Sequence, residues 1–383
     1  MKKILVLHNK YRILGGEDTA VENEVEFLRE KYKVEVIYFD NSSKNLLNIL
    51  FSFIFISNFL SNRDIKKKVK EFKPDLVYVH NTWFVLSLGF LKYLKKTKIP
   101  IVFKLHNFRY SCCNTYSIGT HLTTSDFCEA CGLIKKRGQM FNKYFSNSYI
   151  KSIMVIRHST KLYKFILGNH FKIVVLTSFH KNFLISCGVE KENIFIIPNP
   201  ISFKNHNEKI SIKEVIYAGR VSKEKGLIEL IDIFERLELS EYVLRIIGDG
   251  PLLRELKNKE FKKIVIEGPL DNETTKNIIS KSELVITCTK LFEGQPTLLC
   301  EASSMGVPSI FPKTGGISEF FPTNYKFAFE QYNYEQLENK IITFLNTNQK
   351  RDIGMKNQDY LKKYLSEEFF VSKFDNLLDS LKS

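Results

Sequence analysis

The stretch that decides the fold runs Leu284-Val285-Ile286-Thr287, then Cys288-Thr289-Lys290-Leu291, then Phe292-Glu293-Gly294-Gln295-Pro296-Thr297-Leu298-Leu299-Cys300-Glu301-Ala302. The apolar run Leu284–Thr287 predicts a buried strand, and the pattern from Thr297 to Met305 predicts a helix, with a loop between them. Pro296 suits the first turn of that helix, because its φ is already helical and no N–H is needed there. A helix start offers free N–H groups and the positive end of the dipole, an environment that fits a diphosphate. Glu293 precedes the helix and Glu301 lies one turn beyond Thr297, so both carboxylates can line one cleft and accept hydrogen bonds from vicinal hydroxyls.

The same strand–loop–helix order occurs upstream. Ala218-Gly219-Arg220-Val221-Ser222-Lys223-Glu224-Lys225-Gly226-Leu227 places Arg220 at a strand end and Lys225 at a helix entrance. Two fixed cations there would neutralise a leaving diphosphate. Around these loops the period repeats. Strands are expected at Val215–Ala218, Val243–Ile247, Ile264–Ile266, Leu284–Thr287 and Ser309–Phe311, with helices at Gly226–Leu237, Asn272–Ser280 and Thr297–Met305. An earlier set reads Ile4–His8, Val34–Phe39, Leu76–His80, Ile101–Leu105 and Ile173–Thr177, with a helix over Asp18–Lys31. Short continuous apolar strands separated by helices imply a parallel sheet covered on both faces. The fold class is therefore α/β with two doubly wound units, and the junction falls near 198–212, around Ile197-Pro198-Asn199-Pro200.

The first half carries its own candidates. Asn9-Lys10-Tyr11-Arg12-Ile13-Leu14-Gly15-Gly16-Glu17-Asp18 lacks the dinucleotide fingerprint, yet two adjacent glycines at a strand-to-helix turn permit close approach of backbone to phosphate; an ordinary tight turn reads equally well. Asp75–Asn81 and Val102–Asn107 each end a strand in His-Asn, which sets His80 and His106 at carboxyl strand ends.

Charge is unevenly placed. The chain of 383 residues carries a net charge of +15, and all of it belongs to residues 1–200, where 31 Lys and Arg face 15 Asp and Glu. A basic half suggests an anionic partner. Leu46–Leu60 holds 11 apolar residues in 15, too few for a membrane span of about 20. Arg63, Lys66, Lys67, Lys68 and Lys70 follow it, a pattern that fits a helix lying on an anionic membrane or, equally, a buried helix beside a solvated one. The apolar start, Ile4 to Leu7, is too short for the roughly 7–15 residues of a secretory core, and a first strand explains it better. Seven cysteines, an odd number with three of them isolated in apolar surroundings, argue for a reducing compartment over a disulfide framework. Cys112-Cys113 with Cys128-Glu129-Ala130-Cys131 forms one incomplete zinc-like pattern, in which Cys113, Cys128 and Cys131 would be the structural ligands; reduced thiols in a packed loop are the competing reading.

Together, Glu-Gly-Gln-Pro-(x)4-Glu, the Gly-Arg-(x)4-Lys-Gly loop, Ile247-Gly248-Asp249-Gly250-Pro251 and Gly315-Gly316-Ile317-Ser318-Glu319 resemble the retaining glycosyltransferases of family 4, over nearly the whole chain. The resemblance implies the GT-B fold, two Rossmann-like domains facing across a cleft: an acceptor-binding domain over 1–198, a nucleotide-sugar-binding domain over 199–360, and a C-terminal helix over 361–383 returning to the first domain. It implies that Arg220 and Lys225 hold the donor diphosphate, that Glu293 binds the transferred sugar and Glu301 the ribose, that Thr297 and Leu298 offer backbone N–H groups, and that Gly268 lies near the base. Gly15 and Gly16 would also contact the donor, and His106 the reacting sugar, with His80 a weaker acceptor candidate. The Cys-Pro-Asn-Gly of a bacterial subgroup appears here as Cys113-Asn114-Thr115-Tyr116, a departure in the loop expected to read the acceptor. No cofactor and no catalytic metal are implied, since the two cations do the work of a divalent ion. The expected enzyme is cytoplasmic, peripheral on the inner face of the membrane, and extends a glycan or lipid-linked acceptor in surface polysaccharide synthesis. Two other classes compete: a basic nucleic-acid-binding protein with a zinc site, which leaves the neutral second half unexplained, and a GT-B nucleotide-sugar epimerase, which needs ring acid/base residues and no acceptor.

Overall fold

The computed structural model describes residues 1–10, 16–40, 56–83, 85–108, 110–111, 149–168, 171–203, 212–238 and 241–381. The chain folds as two units, Met1–Pro200 with Phe370–Ser383, and Ile201–Phe369.

The first unit holds six parallel strands, β1 (Lys3–Lys10), β2 (Lys33–Asp40), β3 (Leu76–Val79), β4 (Ile101–Leu105), β5 (Lys172–Val175) and β6 (Ile194–Ile196), in the order β2-β1-β3-β4-β5-β6. Alternate residues of each strand enter different cores. Leu5, Leu7, Val77, Val79 and Phe103 pack on one face, whereas Ile4, Val6, Leu76, Tyr78 and Val102 pack on the other. Burial on both faces is what a parallel sheet requires, and it explains why these strands read as unbroken apolar runs. Helix α1 (Gly16–Lys31) covers the second face through Val21, Val25 and Leu28. Helix α2 (Phe59–Phe72) starts at Asn58, whose side chain accepts hydrogen bonds from the Leu60 and Ser61 amides, as an N-cap does.

The second unit repeats the plan with β7 (Ile212–Ala218), β8 (Val243–Ile247), β9 (Ile264–Gly268), β10 (Ser282–Ile286), β11 (Ser309–Lys313) and β12 (Ala328–Glu330), all parallel, in the order β12-β11-β10-β7-β8-β9. The strand order reverses between β7 and β10. In the first sheet it reverses between β1 and β3. In doubly wound sheets the crevice beyond the carboxyl ends of the strands at such a point is where ligands bind.

The expected α/β class is present in both halves. One expectation needs correction. Residues 361–383 do not form one helix: a helix over Lys350–Leu365 stops at Ser366, which is extended at ψ 159°, and a second begins at Glu367 and runs to Ser380. Phe370, Phe374, Leu377 and Leu378 of that last helix are buried in the core of the first unit with Tyr32 and Tyr78. Leu361 and Leu365 belong to the core of the second.

Candidate functional site

In the second unit, β7 and β10 are neighbours on either side of the strand-order reversal. The loop after β7 delivers Lys225 and the loop after β10 delivers Glu293, and their side chains form an ion pair, each about a quarter exposed. Thr289 Oγ1 donates to the same carboxylate oxygen, Glu293 Oε1, at 3.0 Å. Glu293 is fixed through its backbone as well. Its carbonyl accepts the Gly316 amide at 2.8 Å. Gly315, at φ +57°, lies so close that a Cβ there would sit 2.3 Å from the Glu293 carbonyl oxygen. Only glycine fits that approach and that φ without strain. The glycines of the Gly315–Glu319 motif thus have a packing reason: they clasp the loop that carries Glu293.

The helix after this loop spans Thr297–Ser304, so Thr297 and Leu298 open it with free amides, and Pro296 stands one position earlier than expected, at the N-cap with φ −79°. Glu301, one turn in, is largely buried, and burial raises its carboxyl above the usual 4.5 against the opposing pull of Lys276. Lys276 Nζ lies 3.7 Å from Glu301 Oε1. No sequence signal points to Lys276, because on the Asn272–Lys281 helix it reads as one more solvated lysine. Arg220 does not join the Lys225–Glu293 pair. Its side chain is 62% exposed and its Nε stands 3.9 Å from Glu224 Oε1, while its carbonyl is held by the Tyr217 hydroxyl at 2.7 Å. Gly268 ends β9 at φ +92° with Lys257 Nζ beside it, and its carbonyl accepts the Gly248 amide at 2.8 Å. The Gly248–Pro251 segment, a plain turn by its sequence, ties the loops together: the Val221 amide donates to the Asp249 carbonyl at 2.9 Å.

In the first unit the carboxyl ends of β3 and β4 bring His80 and His106 together. His80 Nδ1 is 3.0 Å from His106 Nε2 and the rings stack at 5.3 Å. Behind them His8 and Asp18 are bonded at 2.9 Å in full burial. Lys104 and Glu24 form a buried ion pair at 2.7 Å, and the Tyr78 hydroxyl donates to the other Glu24 oxygen at 2.9 Å. A cavity of about 50 Å³ opens at His80 and His106, lined also by Glu17, Asn107, Trp83 and His158. Trp83 and His158 carry no motif that a reading of the sequence would single out. Gly16 opens α1. Gly15, Cys113, Cys128 and Cys131 lie outside the described residues, as does the stretch 46–55. Among the described residues, no group of three or more His, Cys, Asp or Glu is placed to hold a metal ion.

Comparison with known proteins covers both halves. Residues 14–204 match the family described as Glycosyltransferase Family 4, and residues 199–360 match Glycosyl transferases group 1. The amylovoran biosynthesis glycosyltransferase AmsD of Erwinia amylovora is 30% identical over 161 residues, 39% of this chain and 45% of that relative. The chain thus spans less than half the length of AmsD in that match. The lipopolysaccharide 1,2-N-acetylglucosaminetransferase of Salmonella typhimurium is 25% identical over 274 residues, covering 58% of this chain and 71% of that one. Among solved structures, HepE of Anabaena in complex with UDP and glucose aligns with TM-score 0.63 at 17% identity, covering 99% of this chain and 100% of the other. Sucrose-phosphate synthase from Thermosynechococcus elongatus aligns with TM-score 0.70 at 14% identity over 100% and 99%. At these identities the structural matches establish the GT-B fold.

Proposed function

Since this chain belongs to the glycosyltransferases, its first half matching Glycosyltransferase Family 4 and its second Glycosyl transferases group 1, we propose that it moves a sugar from a nucleotide-diphosphate sugar to a glycan or lipid-linked acceptor in the synthesis of a bacterial surface polysaccharide. The observation that carries this reading is the Lys225–Glu293 ion pair at the carboxyl ends of β7 and β10, beside the start of the Thr297 helix. A cation, free amides and an oriented carboxylate are what a diphosphate bound to a polyhydroxylated ring needs. AmsD and the Salmonella enzyme, by their names, serve amylovoran and lipopolysaccharide synthesis, which supports the acceptor class.

In this reading Lys225 and the long side chain of Arg220 neutralise the leaving diphosphate, and the Thr297 and Leu298 amides meet its oxygens. Glu293 orients the transferred sugar. Glu301, held by Lys276, accepts from the ribose hydroxyls, and Gly268 leaves room for the base. His106 contacts the reacting sugar, and His80 stands behind it. Glu293 Oε1 already accepts from Lys225 and Thr289, which suits an orienting group better than a nucleophile. By its resemblance to the retaining enzymes of family 4, the transfer retains configuration by attack on the face the diphosphate leaves, with a phosphate oxygen taking the acceptor proton. The protein supplies position and charge stabilisation without a divalent ion.

Among the described residues no helix is long and apolar enough to cross a membrane. Helix α2 presents exposed Phe59 and Leu60 at its start and exposed Arg63, Lys66, Lys67 and Lys70 along its length. That combination supports attachment to an anionic membrane surface on its cytoplasmic side. Incubation with UDP-, GDP- and ADP-sugars, followed by detection of the free nucleoside diphosphate and of the anomeric configuration of the product, tests the reading. Release with an α-product from an α-donor supports it; an interconverted nucleotide sugar without release would establish an epimerase instead.

A further inference from the structure

His80 and His106 share one contact, His80 Nδ1 to His106 Nε2 at 3.0 Å, and one proton serves it. Burial holds both rings well below the ordinary histidine value; His106, Lys104 and His8 add to the effect at His80, and Lys104, His8 and His180 at His106. Both rings are therefore neutral, and each carries a single N–H. Two arrangements are open. If His106 Nε2 donates, His80 must hold its own proton on Nε2, a buried atom with no hydrogen-bond partner among the described residues. If His80 Nδ1 donates, that buried atom is a bare lone pair, and His106 holds its proton on Nδ1. An orphaned buried N–H is rarer and costlier than an orphaned acceptor, so the second arrangement is favoured. His8 does not relieve the first: its Nε2 faces Asp18 Oδ1 at 2.9 Å, and its ring meets His80 only edge to face at 6.1 Å.

We propose that His80 is a positioning residue that fixes His106 in the Nδ1–H tautomer, so that His106 offers a hydrogen-bond donor, and not a base, to a carbohydrate oxygen at the cavity. The nitrogen a histidine protonates is set by the bond its other nitrogen makes. The functional consequence rests on the glycosyltransferase reading; the tautomer itself does not.

The test is two-bond 1H–15N correlation on protein labelled with 15N-histidine near pH 7.5, with His106 identified by its loss in His106→Gln. The wild-type signal should be that of the Nδ1–H form. His80→Asn, whose amide nitrogen takes the place of Nδ1, should keep it and recover most of the rate of transfer. His80→Leu should release His106 to the Nε2–H form and lower kcat/KM by about ten- to a hundredfold, the usual cost of losing an orienting partner. His80→Gln, which places its amide at the other ring position, gives the same contrast should the Leu variant fail to fold. An Nε2–H signal in the wild type, or an unchanged tautomer in both His80→Leu and His80→Gln, overturns the proposal. An Nδ1–H signal that moves as described in a protein that turns over no nucleotide sugar would uphold it and fault the functional reading instead.

Discussion

Lys225 and Glu293, 68 residues apart, form an ion pair at the point where the second sheet reverses its strand order. Neither is deeply buried, so the pair does little for folding; its value is that each side chain presents the other. Lys225→Ala and Glu293→Gln should therefore leave the melting temperature nearly unchanged. In a double-mutant cycle on kcat/KM the two should be non-additive by about 0.5–3 kcal/mol, as expected of residues in contact. Additive losses would mean that they act independently.

Glu301 is a buried carboxylate with one cation beside it. Lys276→Met removes that cation, so the Glu301 carboxyl, already raised by burial, should rise further. The sign follows from burial disfavouring the charged form. KM for the donor should then increase toward acid pH more steeply than in the wild type, while kcat changes little. A pH series of KM measures this.

Gly315→Ala sets a methyl group against the Glu293 carbonyl at a left-handed φ. The variant should lose more than about 1 kcal/mol of stability, read by denaturant melts. It should also lose transfer activity out of proportion to that, because the displaced loop carries Glu293. Full activity in a folded Gly315→Ala protein would show that the clasp is dispensable.

His80, His106 and His180 are all held below the ordinary histidine value by burial, His180 down to about 3. The unfolded chain takes up these protons first, near pH 6.5. Their contribution is complete above that pH and is lost as pH falls toward the native values, by up to about 1.4 kcal/mol per pH unit for each group. Chemical denaturation at pH 8, 6 and 5 should give steeply falling midpoints. A flat profile would mean that these rings are not buried as neutral groups.

The two parallel sheets were legible because a strand buried on both faces is an unbroken apolar run, as Ile4–Leu7 and Leu284–Ile286 are. Strands β6 and β12 escaped notice because three residues carry no periodicity. Glu293 and Lys225 could each be singled out in advance, since each lies in a loop between a strand and a helix, but their ion pair shows only in the fold. Lys276, Trp83 and His158 could not, because their neighbours are distant in sequence and their local patterns are those of an ordinary helix or turn. The role of Gly315 depends on a backbone 22 residues away, a contact set only by the tertiary fold. Arg220 illustrates the limit from the other side: its motif pairs it with Lys225, yet its guanidinium stands in solvent near Glu224.

The most direct measurement is turnover of a panel of UDP-, GDP- and ADP-sugars by the wild type and by Arg220→Ala, Lys225→Ala and Glu293→Gln, read as nucleoside diphosphate released. The wild type should release it from at least one donor, and Lys225→Ala and Glu293→Gln should each cut kcat/KM by about a hundred- to a thousandfold in a folded protein, the scale for removing one preorganised electrostatic contact. Arg220→Ala should lose activity on the same scale, because the exposed guanidinium near Glu224 is the second cation assigned to the bound diphosphate. Undiminished turnover in Lys225→Ala and Glu293→Gln would contradict the assignment of this site as the donor site.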